Sequence, residues 1–407
     1  MNIDEHLRKP DMVDNGEVKG PLAGLRVLEL AGIGPVPFAG MLLADMGADV
    51  IRLDRVGQGA HPGDRDDLRH TSINLRGKRS LSVNITDPRG RDVVLRLVET
   101  CDVVLEGMRP GVAERLGLGP EECTALRPEL VYGRMTGWGQ TGPYAQVPGH
   151  DINYLALSGV LEGIGRPGSP PTPPLALVGD FGGGAMFLLF GVLSALHEAR
   201  ESGRGQVVDA AMTEGAALLN TLNYSMSAAG TNSVRRGEHI LSGAAPHYDV
   251  YECSDGHWIT VAANEPQFYR ELRNVLQLEG DLWEDQHDRT KWDLRKAQLT
   301  TIFRTATRDE WCDRLENRPV CFAPVLDLFE AADHPQSRER QSFLRHEGVL
   351  QPAPAPRLNR TPGRVTNGAP RIGEHTSDIL GELGVDTNEQ HELERDGVIG
   401  VGSVQRR

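Results

Sequence analysis

His150 and Asp180 stand thirty residues apart in this chain, and their side-chain types and settings suit proton transfer or nucleophilic attack. His150 sits in Gly149-His-Asp-Ile-Asn-Tyr154, just after the glycine-rich stretch Gly137-Trp-Gly-Gln-Thr-Gly-Pro143. Asp180 sits in Leu177-Val-Gly-Asp-Phe-Gly-Gly-Gly184, directly ahead of an apolar helical run. That setting predicts an N-cap at Asp180. An aspartate there satisfies free backbone N–H groups, which is a structural task. The same N–H groups can also hold an oxyanion forming on a carbonyl, which is a chemical one. Spacing alone favours capping, and a single histidine is by itself most simply structural.

Other residues could bind a ligand. Gly32 and Gly34 are two apart, with Asp54 about twenty residues on, which begins like a dinucleotide fingerprint. Pro37 stands where the third glycine belongs, and two prolines leave few N–H groups for a pyrophosphate, so a tight strand-to-helix turn is the expectation. Arg52, Arg55, Arg109 and Arg115 follow predicted strands, where guanidinium forks suit phosphate. Each of them alone also reads as a solvated surface charge. Met186, Met212 and Met226 could offer an adaptable apolar surface or could simply fill core.

The elements that must position these residues follow from periodicity. Leu25–Leu30, Asp49–Leu53, Ser80–Asn84, Asp102–Glu106 and Leu130–Met135 read as strands. Helical patterns lie between them over Pro37–Met46 and over Pro88–Glu99, the latter with Asp87 as N-cap. Strands alternating with helices predict a mainly parallel, doubly wound sheet, with ligands at the carboxyl ends of its strands. Residues 151–228 read as helical. His247–Cys253 and His257–Ala263 flank Ser254-Asp-Gly256 as a hairpin, and helices are predicted over Pro266–Leu278 and Leu294–Leu315. The expected division is a polar arm over 1–20, a large domain over 21–228, a small domain over 245–335, and a return through the proline-rich 352–356 into 336–407.

The 407 residues carry 43 basic and 57 acidic side chains and a net charge of −14, which argues against a general nucleic-acid or anionic-membrane binder. Five scattered cysteines without a C-x-x-C pair predict free thiols, with no disulfide framework and no metal site. The polar amino terminus reads as no secretory signal. The apolar run Ala185–Leu196 reads as too short to span a bilayer. A cytoplasmic location is the expectation.

Ordered matches from Pro21 to Ile372 carry a resemblance to a known family. They include Pro21-Leu-Ala-Gly-Leu-Arg-Val-Leu-Glu-Leu30, Gly47-Ala-Asp-Val-Ile-Arg52, Arg109-Pro-Gly-Val-Ala-Glu-Arg-Leu-Gly-Leu-Gly119, Met135–Pro143, Gly149–Tyr154, Gly179–Gly184, Gly205–Ala211 and Asn264-Glu-Pro-Gln-Phe-Tyr269. The sequence resembles the racemase branch of the class III coenzyme A transferases. The resemblance implies an α/β fold: a large Rossmann-like domain with a parallel sheet, a smaller α+β domain, and an interlinked homodimer.

It also implies roles. In the transferases the aspartate matching Asp180 is a nucleophile. In the racemases it is paired with a histidine matching His150 and a glutamate matching Glu265, so the branch implied is 2-methylacyl-CoA epimerisation, with CoA transfer as the alternative. The thioester's nucleotide and pantetheine arm would be held by Arg55, Val83, Asn84, Ile85, Thr86, Gly107, Met108, Arg109, Arg115, Gly149, Asp151, Ile152, Asn153 and Tyr154. Val83–Thr86 departs from racemase side chains and would act through its backbone. No cofactor beyond the coenzyme A of the substrate is expected, and no metal. The segment Pro370–Leu380 resembles the wider transferase family more than a short racemase ending.

Overall fold

The computed structural model describes residues 19–30, 32–57, 69–231, 233 and 235–402. The polar arm expected over 1–20 lies outside them, except for its last two residues. In chain order the elements are β1 (Arg26–Leu30), α1 (Pro35–Asp45), β2 (Asp49–Asp54), β3 (Arg79–Val83), α2 (Pro88–Val98), β4 (Val103–Glu106), β5 (Val131–Thr136), α3 (Asp151–Leu157), α4 (Met186–Ser202), β6 (Val207–Ala211), α5 (Met212–Leu219), α6 (Thr221–Ala228), β7 (Tyr248–Glu252), β8 (Trp258–Ala262), α7 (Pro266–Leu276), α8 (Trp292–Phe303), α9 (Arg308–Leu315), β9 (Phe322–Pro324), β10 (Phe343–His346), β11 (Val349–Pro352), α10 (Thr376–Glu382), α11 (Thr387–Arg395) and β12 (Ile399–Gly400). A seven-residue helix over Pro120–Leu126 and several shorter helical turns join them. The chain forms two compact units: the described parts of 1–148, 179–215 and 341–407, and then 149–178 with 216–340. Residues 149–178 and 216–228, read from sequence as part of the large domain, group with the second unit.

The first unit is built on a seven-stranded sheet in the order β12-β3-β2-β1-β4-β5-β6. β1 to β6 pair parallel, as the alternating pattern requires. Only β12 runs antiparallel, against β3. The central strands are buried on both faces, which is why they read as continuous β-rich runs. Asp87 caps α2, its carboxylate accepting the Arg89 N–H at 2.9 Å. β6 and β12 are additions to the predicted strands. β6 is an edge strand whose first residue, Val207, is 45% exposed, and β12 is two residues long, so neither gives a periodic signal.

The run ahead of β6 is longer than its sequence suggests. A π-helical segment, Leu177–Ala185, continues into α4 and makes one helix, Leu177–Ser202, of 26 residues. By length and composition it could cross a membrane, so the expectation of too short a span is corrected. One face of it packs on the sheet, while Phe190, Met186 and Leu193 on the same helix stay exposed. Leu188 and Val192 lie on Gly133 of β5, where a Cβ would stand 3.1 and 3.0 Å from them, and Gly191 lies on Val208 of β6, where a Cβ would stand 2.6 Å away.

The second unit carries the hairpin β7–β8, extended antiparallel by β9. α7, α8 and α9 cover it, burying Ile259, Val261, Tyr269, Leu272, Leu299, Phe303 and Trp311 together. The single segment predicted over Leu294–Leu315 is two helices. Thr307 and Glu310 form a reciprocal capping box that ends one and starts the other. All five cysteines are free thiols.

His247, just before β7, is fully buried, edge-on to Tyr269, His287 and Trp292. Neither ring nitrogen has a hydrogen-bond partner among the described residues. Burial pushes its pKa from about 6.5 down to about 4, helped by the nearby His287 and Arg295. The unfolded chain therefore takes up this proton first as pH falls, and the folded state is unaffected above 6.5. About 3 kcal/mol of stability should be lost between pH 6.5 and 4 through this residue. Urea midpoints at pH 7.5 and 4.5 should differ less in His247→Phe than in the parent; an unchanged difference would place the acid sensitivity elsewhere.

Candidate active site

Sheet order decides which candidate residues meet in the first unit. Arg55 follows β2, Val83 ends β3 with Asn84, Ile85 and Thr86 after it, and Gly107, Met108 and Arg109 follow β4. These strands are sheet neighbours with β1, so the residues share the carboxyl edge of one parallel sheet, where such folds bind ligands. Arg55, Arg109 and Arg115 are exposed there. Asn84 folds its own turn, its side-chain oxygen accepting from the Thr86 hydroxyl at 2.7 Å. The Met108 N–H donates to buried Glu106 at 2.6 Å, and Glu106 is paired with Arg134 at 2.7 Å, which fixes the Gly107–Arg109 loop from beneath. Gly107 packs tightly on α1, where a Cβ would stand 3.0 Å from Val36.

Arg52 is not a ligand-facing guanidinium. It is 1% exposed and ion-paired with Glu29 at 2.8 Å and Asp54 at 3.0 Å, because its side chain falls inside the sheet layer opposite Glu29 on β1. The methionines do not make one surface. Met212 is buried core, Met186 is half exposed on the first unit, and Met226 belongs to the second.

Asp180 is not an N-cap. It is the fourth residue of the π-helical segment, so the helix starts before it. It remains in the first turn, where i→i+5 bonding leaves the leading N–H groups without helical acceptors and the dipole is positive. The triple glycine that follows permits close packing. A Cβ on Gly215 would stand 1.9 Å from the Gly183 carbonyl oxygen, and one on Gly184 would stand 2.9 Å from Met212. The Phe181 ring lies 4.6 Å from that of Phe38 on α1. A half-buried carboxylate is thus held on a backbone with no slack.

In the second unit His150 is the residue preceding α3, and it is exposed. Its N–H donates to Asn153 Oδ1 at 3.0 Å, and the Tyr154 hydroxyl donates to the Gly149 carbonyl. Two of the residues carried over as coenzyme A contacts therefore hold the Gly149–His150 peptide from both its N–H and its carbonyl, and Asp151 and Ile152 follow it in the first turn.

Glu265 precedes α7, with Pro266 as the first helical residue, and its side chain makes no cap. An exposed carboxylate at a helix start that does not cap is available for other work. Its loop is held by a residue that sequence reading did not find: Gln286 donates to the Asn264 carbonyl at 2.5 Å, and Trp292 donates to the Gln286 carbonyl at 3.0 Å. Twenty-two residues separate Gln286 from Asn264, so no local pattern signals the contact. Among the described residues no three His, Cys, Asp or Glu side chains gather as metal ligands.

The chain belongs to CoA-transferase family III, whose profile matches residues 22–376. Within that family it is similar to the alpha-methylacyl-CoA racemase of Mus musculus, 42% identical over 380 residues that are 93% of this chain and 97% of that one. The alpha-methylacyl-CoA racemase of Homo sapiens is 41% identical, over 94% of this chain and 99% of its own. A solved CAIB/BAIF family protein from Brucella suis superposes with a TM-score of 0.79 at 26% identity, covering 90% of this chain and all of that one.

Proposed function

We propose that this protein interconverts (R)- and (S)-2-methylacyl-CoA thioesters by moving the proton on C2 from one face to the other. The observation that carries the reading is that the sequence holds His150 and Glu265 as well as Asp180, in a chain 42% identical, over nearly its whole length, to a racemase of that name. Inversion needs two acid/base groups on opposite faces, because one base returns the proton to the side it came from. His150, assisted by Glu265, serves one face and Asp180 the other, and the roles exchange with direction.

The thioester α-proton is too weakly acidic for either base unless the enolate oxygen is stabilised. Backbone N–H groups at the start of the helix that carries Asp180 can supply that, aided by the helix dipole. The thioester itself is the electron sink, so the reading calls for no cofactor and no metal. Exposed Arg55, Arg109 and Arg115 at the strand ends suit the phosphates of coenzyme A.

The reading includes a homodimer in which Glu265 reaches the active site of the other copy. Leu218, Leu219, Leu222 and Tyr224 of the second unit are each more than half exposed, and so is Phe190 of the first; these side chains favour cover by a second copy.

Asp180 alone would also serve acyl transfer, the activity that names the family. A single epimer incubated in D2O separates the two. Racemisation with deuterium at C2 is expected. Unchanged configuration without deuterium removes the reading, and an acyl-aspartyl species trapped by hydroxylamine would replace it with transfer.

A further inference from the structure

Gly34, the last residue before α1, has φ 68° and ψ −120°, a conformation that side-chain-bearing residues rarely adopt. The space its side chain would fill is taken by the Asp180 carboxylate. A Cβ on Gly34 would stand 3.0 Å from Oδ2 and 3.6 Å from Cγ of Asp180. The same two segments also meet behind that point. Phe38 packs on Phe181, and a Cβ on Gly184 would lie 3.3 Å from Pro35. Pro35 and Pro37 fix φ at the start of α1, and Pro35, Val36 and Pro37 are all buried, so the wall facing Asp180 is stiff.

We propose that Gly34 is a positioning residue: the first βα turn is the seat of the Asp180 carboxylate, and the missing side chain sets where that carboxylate lies. The inference rests on the racemase reading for the assay that measures it. It also gives Gly34 a task that involves no phosphate, although its spacing from Gly32 begins like a nucleotide fingerprint.

A methyl group on Gly34 must push the carboxylate back by a few tenths of an ångström, a fraction of the shift of about 1 Å that can cost roughly 10²-fold in rate. Gly34→Ala should lower kcat for racemisation roughly threefold to tenfold, with KM for the CoA thioester within about a factor of two. Gly32→Ala is the control in the same turn, since among the described residues a Cβ there would meet only the Leu30 carbonyl oxygen, at 3.9 Å. The loss should be one-sided. Deuterium exchange into the epimer deprotonated by Asp180 should fall, while exchange into the epimer deprotonated by His150 persists, a split that general loosening would not give.

Thermal unfolding in two backgrounds supplies a readout without turnover. Gly34→Ala should lower Tm less in Asp180→Ala than in the parent, because the clashing group is gone. Equal kcat in Gly34→Ala and Gly32→Ala, equal loss of exchange for both epimers, or additive Tm shifts would each overturn the proposal. So would a Gly34→Ala chain that folds in neither background, which would locate the glycine's role in the backbone alone. Failure of the parent protein to racemise or exchange would instead remove the racemase reading.

Discussion

Asp180→Asn is expected to lower racemisation of a 2-methylacyl-CoA ester by roughly 10²–10⁴-fold, the usual contribution of a positioned acid/base group, while leaving half of the exchange chemistry intact. Asparagine keeps the size of the side chain and removes the proton acceptor. The epimer whose proton faces His150 can still be deprotonated, but the enolate receives a proton only from the side it left. Deuterium therefore enters that epimer with retention, and the other epimer neither exchanges nor inverts. His150→Gln should show the mirror result. Chiral analysis of C2 after incubation in D2O reads both variants. If the two exchange the same epimer, or if Asp180→Asn still inverts, the two-base scheme is wrong. If Asp180→Asn stops all chemistry and the parent forms a hydroxylamine-sensitive adduct, Asp180 is a nucleophile.

What the sequence could disclose about this site was governed by range. Strands β1 to β5 were legible because each is buried on both faces and punctuated by helix starts such as Asp87-Pro88. β6 was hidden inside a stretch read as helical, because an edge strand exposed at Val207 and buried only at Ala210 and Ala211 gives no sustained alternation. The glycine run after Asp180 was visible, but its geometry depends on Gly215 and on the helix around it, which no window of residues contains. Glu265 came only from family resemblance, since Glu-Pro before a helix is a common start signal. Arg52 was misplaced for a similar reason. Near the end of a predicted strand it reads as solvent-facing, and only the β1–β2 register, which sets Glu29 opposite Arg52, shows it to be buried.

That register leads to the largest expected effect on stability. Glu29 is 0% exposed and takes Arg52 on one oxygen, at 2.8 Å, and Lys78 on the other, at 2.5 Å. Lys78 also donates to the Pro37 carbonyl at 2.8 Å, Arg52 continues to Asp54, and Asp54 accepts from Arg69 and from the Ser80 hydroxyl, both at 2.6 Å. Burial holds the Lys78 pKa down, to about 8, against the pull of Glu29, so desolvation outweighs attraction at this ammonium. The pair is therefore costly to break rather than strongly stabilising in itself. Lys78→Met leaves one oxygen of a fully buried carboxylate without a cation and should cost about 3–5 kcal/mol by denaturant unfolding. Lys78→Met with Glu29→Gln removes charge from both sides and should recover at least about 1 kcal/mol of that loss, a coupling a double-mutant cycle can resolve. A single-variant loss below about 1 kcal/mol would mean that water reaches Glu29, which its burial denies. The same pair reaches toward the site, since Lys78 holds the Pro37 carbonyl in the first turn of α1 and Glu29 leaves no room for a side chain on Gly40 one turn later. Lys78→Met should for that reason lower racemisation as well as stability, because the helix start that walls Asp180 loses its anchor from below.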